Sequence, residues 1–400
     1  MKKIYAVILV ILVACQPNEK QLIDYVNPFI GTGGHGHTYP GAASPFGMVQ
    51  LSPDSRLEGW DGCGAYHYSD SVIYGFSHTH LSGTGISDYA DILLMPTTGD
   101  LLLNNGAYDT DGYSSSFSHD NELARPGFYQ VQLDDYNIGV ELTVSPRVGF
   151  HRYTFPTNEA AQVILDLEHR DNLMAVHLEQ VDSVTLKGYR YSNQWATDQR
   201  IHFHAKFSSP IQKLVYRSDS LVVGMIFGEL DTPLLVKVGI SAVDMLGAKQ
   251  NLEAEIPHWD FNKTKQSVQD AWEMNLSKIQ VYGRDENHKT IFYTALYHSL
   301  LNPNLYIDVD GRYRGMDMQI HQDSTDNHYT IFSLWDTFRA THPLFTIIEQ
   351  KKTNEFIRTF LRQFRQGGKL PIWELAANYT NCMIGYHAIP VIVDAYIKGL

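Results

Sequence analysis

The sequence predicts a multidomain protein of β-plus-α class, an N-terminal antiparallel β-sandwich over residues 24–250 followed by a region of helices. Two observations predict it. Apolar and polar residues alternate with period two in many short runs up to Ser241, whereas from Val268 onward the apolar residues recur at helical spacing. A chain of 400 residues is also long enough to bury more than one core.

The strands come first. The runs 128–133, 140–144, 163–167, 201–207 and 234–238 alternate or are continuously apolar, and turn clusters such as Asn104-Asn105-Gly106 and Asp111-Gly112 punctuate them. Many short strands with little helix between them imply two antiparallel sheets face to face. A helical linker is expected over 251–285, with Val268, Trp272, Leu276 and Ile279 on one face. Further helices are expected over 286–301 and 329–340, with His342-Pro343 breaking or restarting the latter. Another is expected over 354–366, where Ile357, Phe360, Leu361 and Phe364 form an apolar stripe and Gly367-Gly368 a stop. A last helix begins near Cys382. Its residues Val391 to Val393 and Ala395 to Ile397 leave apolar surface with no later element to cover it, so the chain is expected to continue past Leu400.

The N-terminus carries an export signal. Lys2 and Lys3 precede an apolar run from Ile4 to Ala14, too short for a bilayer span of about twenty residues. The run ends Leu12-Val13-Ala14-Cys15, which looks like the lipobox of a bacterial lipoprotein. Residues 1–15 are therefore expected to be a lipoprotein signal with Cys15 lipidated, and 16–23 a tether. This places the protein at the periplasm or cell surface of a Gram-negative bacterium, membrane-anchored through an N-terminal lipid. Beyond Cys15 only Cys63 and Cys382 remain, and each is expected to be a free thiol.

The charge and composition constrain the ligand. A formal net charge of −13, with no clustered Lys and Arg, disfavours nucleic acid. With 24 Tyr, 18 Phe and 6 Trp the chain suits a neutral, hydroxyl-rich ligand, because aromatics stack on sugar rings and carboxylates bind hydroxyls. Glycine-rich stretches offer the loops for such a site. One runs Asn27 to Ala42 through His35 and His37. A second holds Gly59-Trp60-Asp61-Gly62, and a third is Gly75-Phe76-Ser77-His78-Thr79-His80-Leu81-Ser82-Gly83-Thr84-Gly85. The histidine pairs lack further ligands at zinc spacing, so hydrogen-bonding roles are expected for them.

Two later stretches carry carboxylates. Phe332-Ser333-Leu334-Trp335-Asp336-Thr337-Phe338-Arg339 places Asp336 and Arg339 on one face of a helix. Lys369-Leu370-Pro371-Ile372-Trp373-Glu374-Leu375 sets Glu374 among apolar neighbours, where desolvation raises a carboxyl pKa as a general acid requires; pairing with a nearby cation is the alternative.

Together with Arg190-Tyr191-Ser192-Asn193-Gln194-Trp195-Ala196 and Cys382-Met383-Ile384-Gly385-Tyr386-His387, these stretches resemble glycoside hydrolase family 92, in order and along the whole mature chain. The resemblance implies a β-sandwich packed on an (α/α)6 barrel, whose first helices would occupy residues 286–400, and the removal of terminal α-linked mannose by a calcium-assisted inverting mechanism. It implies Glu374 as general acid, with Trp60, Asp61, Trp335, Asp336 and Arg339 near the mannose. No residue here matches the family's general base and no calcium ligand is assigned, so this chain alone is expected to be inactive. A non-catalytic carbohydrate-binding lipoprotein, or an inactive truncated paralogue, is the alternative.

Overall fold

The computed structural model describes residues 20–108 and 110–400. The apolar run and Cys15 lie outside the described residues. A seven-stranded sheet has the order Ala42–Ala43, Gln50–Asp54, Gly75–Ser77, Leu93–Thr97, Ala161–Asp166, Val222–Gly228, Lys213–Tyr216. An eight-stranded sheet has the order Asn172–Asp182, Thr185–Asn193, Gln199–Phe207, Leu234–Ser241, Val148–Thr154, Ile138–Val144, Phe128–Leu133, Glu122–Arg125. Neighbouring strands run antiparallel, as in the pairing of Phe150 with Thr143 and with Lys237. The alternation that marks these strands has its expected cause. Ile138, Val140, Leu142 and Val144 share one buried face with Val131, and they meet Leu51, Phe76, Leu94 and Val163 of the other sheet in one core. That core sets the sandwich.

Helix α1 (Met245–Glu255) is capped by Asp244, whose side chain accepts from the Gly247 N–H at 2.7 Å. It lies on the strands Gln199–Phe207 and Leu234–Ser241. Its approach is close enough that a Cβ at Gly239 would sit 2.4 Å from the Ala248 carbonyl oxygen, which only glycine permits. Helix α2 (Phe261–Leu276) buries Val268, Trp272 and Leu276 on the predicted face. The Trp272 Nε1–H donates to the Ala43 carbonyl at 2.7 Å, and its ring packs at a tilt 4.5 Å from Tyr297 of helix α3 (Glu286–Ser299). The Glu273 carboxylate accepts the backbone N–H groups of Leu22 and Ile23 at 3.1 and 3.0 Å, tying down the start of the described chain.

The region 329–340 departs from the predicted helix. Tyr329–Thr330 and Phe332–Ser333 are short strands separated by Ile331 at φ 67°, a value an α-helix excludes. Phe332 pairs with Glu374 and Ser333 with Trp373, so a long-range ladder outcompetes local periodicity. Only Leu334–Thr337 is helical (α4), followed by α5 (Thr341–Ile348) and α6 (Gln350–Gly367), which ends at Gly368 in the left-handed region at φ 75°. Helix α6 turns a different side inward from the predicted stripe. It buries Thr353, Glu355, Phe356, Thr359, Phe360 and Gln363, while Leu361 and Phe364 are exposed. Two of the inward polar side chains find partners: Glu355 accepts from the Tyr329 hydroxyl, and the Thr359 hydroxyl donates to the Glu355 carbonyl. Helix α7 covers Ala388–Ile397, beginning later than expected because 380–387 is irregular. Among the described residues no helix is long and apolar enough to cross a membrane.

Candidate active site

A cavity of about 590 Å³ opens where the glycine-rich loops of the sandwich meet the helical region. The first loop to shape it is the 3₁₀ turn Trp60–Gly62, entered through Gly59 at φ 84°. Arg170 secures this turn from behind, its guanidinium donating to the Gly62 carbonyl at 2.7 Å. Trp60 stays 60% exposed and borders the cavity. Its ring meets His37 edge-on at 4.7 Å, and it lies so close over Gly85 that a Cβ there would be 2.4 Å from Cη2. Asp61 pairs with His35, whose Nδ1 lies 2.5 Å from Oδ1, and this contact holds the carboxyl below the usual carboxylate range. On the helical side, Asp336 faces the cavity with Oδ2 accepting from the Ser333 hydroxyl.

The remaining wall is imidazole and indole. His298 and His342 border the cavity, and burial pushes both down to about 4, so each is neutral at physiological pH. Nε2 of His37, Nε2 of His298 and Nδ1 of His342 are buried without a protein partner. Imidazole nitrogens that lack partners suit a ligand bearing hydroxyls, which both donate and accept. Trp195 and Trp373 complete the wall, in edge-to-face contact at 5.5 Å.

The structure thus brings Trp60 and Asp336 to one cavity; Asp61, in the same turn as Trp60, reaches it only through His35, and the other predicted residues are separated from it. Trp335 and Arg339 do not border it. Helix α4 ends at Thr337, so Arg339 does not share a helical face with Asp336, and its guanidinium lies 5.3 Å from the Trp335 ring centroid instead. Glu374 is likewise turned away. Successive side chains of a strand point to opposite faces, and Trp373 takes the cavity side of Trp373–Leu375. The Glu374 carboxyl is completely buried, and Oε1 accepts from the Thr330 hydroxyl at 2.8 Å and the Ala377 N–H at 2.7 Å. Burial raises its pKa to about 7, against the opposing pull of those two donors. The raised pKa read from the sequence is present, but the carboxyl in this arrangement holds a turn and does not face the ligand space, which a general acid must reach.

The histidine pairs follow the hydrogen-bonding expectation. His37 Nδ1 contacts the Thr84 carbonyl at 2.9 Å, His78 donates to the Ile92 carbonyl at 2.6 Å, and His80 meets buried Asp54 at 2.6 Å. Cys63 and Cys382 are both free. Trp195, Trp373, His298 and His342 were not singled out by sequence reasoning. Two of them stand within stretches of unusual composition, and that was the available signal.

Calcium has no evident cage here. Among the described residues no group of three His, Cys, Asp or Glu side chains converges on a common point. Asp61 and Asp336 are oxygen donors of the right kind, but calcium takes about six to eight oxygens. The residues described do not fit the ion by themselves.

Residues 25–241 match the glycosyl hydrolase family 92 N-terminal domain, and residues 247–400 match the family 92 catalytic domain. The fold matches a family GH92 α-mannosidase of Bacteroides thetaiotaomicron solved in complex with mannoimidazole, with 35% identity and a TM-score of 0.88, over 95% of this chain and 53% of that one. It also matches a family GH92 inverting mannosidase of the same organism, with 27% identity and a TM-score of 0.85, over 95% of this chain and 53% of that one. An uncharacterized secreted glycosidase of Arthroderma benhamiae is 26% identical over 342 residues, 75% of this chain and 44% of that protein. The chain belongs to glycosyl hydrolase family 92. It spans about half the length of these relatives.

Proposed function

We propose that the protein carrying this chain hydrolyses terminal α-linked mannose from glycans with inversion at the anomeric carbon. The observation that carries the reading is the likeness, at 35% identity over 95% of the chain, to an α-mannosidase that holds mannoimidazole. The cavity supports it, since an exposed indole, the Asp336 carboxylate and the neutral, unpartnered imidazoles of His298 and His342 suit a neutral sugar. In this reading Trp60 stacks on a sugar face and Asp336 binds hydroxyls, while Asp61 acts on them through His35, which borders the cavity. Glu374 stabilises the turn behind Trp373 and is not the proton donor. Inversion needs an acid and a base about 6.5–9.5 Å apart on opposite sides of the ring, and neither is assigned to a described residue. No step is routed through calcium.

Export with a lipid on Cys15 is part of the same proposal. The basic start, short apolar run and cysteine support both parts, and a relative described as secreted supports export alone. The test is hydrolysis of aryl α-mannosides against β-mannosides and α-glucosides, with the product anomer followed by proton NMR. Release of β-mannose from the α-mannoside alone is expected. Initial release of α-mannose refutes inversion, and binding without turnover favours the non-catalytic alternative.

A further inference from the structure

Arg190 opens one of the stretches of unusual composition, yet its side chain is fully buried and does not border the cavity. A buried guanidinium is costly unless its donors are used, and here all three nitrogens are engaged. Nε donates to the Leu167 carbonyl at 3.0 Å and Nη1 to Asp91 at 2.5 Å. Nη2 donates to the His169 carbonyl at 2.9 Å and also to the Arg170 carbonyl. Asp91 is fixed in turn, its second oxygen accepting from the Thr79 hydroxyl at 2.7 Å and the Gln199 amide at 2.5 Å.

Three carbonyls gripped by one fork hold the segment 167–170 in a bend it would not keep alone. Arg170 and Asp171 have φ of 54° and 56°, left-handed values that non-glycine residues retain only where their surroundings impose them. Asp171 adds to the restraint by accepting the Tyr89 N–H at 2.9 Å. The half-buried Arg170 side chain leaves this bend toward the loop that carries Trp60. It donates to the Gly62 carbonyl at 2.7 Å and to the Arg56 carbonyl at 3.4 Å, one on either side of the tryptophan in sequence. The Trp60 indole is 60% exposed, so its own packing does little to fix where it points. The backbone beneath it decides that, and Arg170 grips the backbone.

We propose that Arg170 is a positioning residue for Trp60, aimed by Arg190 and Asp91 behind it. Lysine cannot replace either arginine, because a point charge on a flexible stem does not reproduce a planar fork on separate carbonyls. The effect on sugar binding rests on the mannoside reading above, whereas the effect on the indole does not.

The experiment labels the full chain with 5-fluorotryptophan, which gives one fluorine resonance for each of the 6 indoles, and identifies the Trp60 line with Trp60→Ala. Arg170→Lys should move or broaden that line more than any other, and Arg190→Lys should act on the same line through the bend. Buried Arg314 is the control, because it too donates to three carbonyls, those of Ala242, Val243 and Met318. Arg314→Lys should leave the Trp60 line in place. If Arg190→Lys fails to fold, Arg170→Lys decides alone. An unmoved Trp60 line in Arg170→Lys overturns the proposal, as does equal movement under Arg314→Lys, which marks general loosening. Calorimetry with methyl α-mannoside supplies a second readout. Arg170→Lys should weaken binding roughly 3–10-fold in the parent and by less than about twofold in the Trp60→Ala background, the non-additivity expected of residues acting as a unit. Equal losses in both backgrounds overturn action through Trp60. If the parent binds no methyl α-mannoside while the Trp60 line responds as expected, the mannoside reading fails and the positioning of Trp60 stands.

Discussion

Replacing Glu374 with Gln separates two roles that this residue could play. The carboxyl is sealed, and its pKa is raised from 4.5 to about 7 by burial. A raised folded-state value means that the native protein holds the proton more tightly than the unfolded chain. The corresponding stability is fully present below pH 4.5 and is lost as pH rises to about 7. The span corresponds to about 3 kcal/mol. Gln keeps the acceptor for Thr330 and Ala377 but has no proton to lose, so this decline is absent from Glu374→Gln. His78, pushed down to about 4 by burial, acts in the opposite sense as pH falls; only the difference between parent and variant isolates Glu374. Urea denaturation of both proteins at pH 4.5, 6 and 8 should show the variant gaining on the parent by about 3 kcal/mol across the range. Parallel pH profiles refute the assigned burial. Activity supplies the second arm. A general acid contributes about 10²–10⁴-fold, and its removal is felt mainly on substrates with poor leaving groups. The geometry instead predicts similar, modest effects of Glu374→Gln on aryl and alkyl α-mannosides. A selective collapse on the alkyl mannoside would show that the carboxyl reaches the glycosidic oxygen after all.

Three further outcomes follow from the same structure. Trp272→Ala removes a fully buried indole and its bond to Ala43, and should cost about 3–5 kcal/mol in the same denaturation assay, without a specific effect on mannoside affinity in the fraction that remains folded. Gly85→Ala drives a methyl to 2.4 Å from the Trp60 ring, and should weaken methyl α-mannoside by roughly tenfold while moving stability by less than ~1 kcal/mol, as read by calorimetry and urea melts. Cys15→Ser should shift the protein from the membrane to the soluble fraction on cell fractionation; unchanged retention refutes lipidation at that residue.

Much of the architecture was legible because its cause is local. The strand at 128–133 appears with the predicted bounds, since period-two burial over six residues leaves little choice of register. Trp60 and Asp336 were legible from aromatic and acidic residues in glycine-rich or unusual stretches. The errors arose where distant residues decide. Ser333 pairs with Trp373 across the fold, so a segment with helical spacing becomes a long-range strand partner and Arg339 leaves the face of Asp336. The face of α6 was misjudged because counting apolar residues ignores polar side chains that find buried partners, as Glu355 does on Tyr329. Glu374 shows the limit most clearly. An apolar sequence context correctly indicates a raised pKa, but says nothing about which side of a strand the carboxyl takes.

The bond from Trp272 to Ala43 bears on how the protein is made. The two residues are 229 positions apart, so at about 5–20 residues per second an emerging chain waits on the order of 10–50 s between exposing the Ala43 strand and producing the indole that covers it. The backbone donors of Leu22 and Ile23 wait for Glu273 over a similar interval. Through that time the seven-stranded sheet has an edge at Ala42–Ala43 without its cover, a template for adventitious strand pairing. A holdase that shields the nascent edge should therefore raise the folded yield more than any later-acting factor, and slowing translation ahead of codon 272 should lower it.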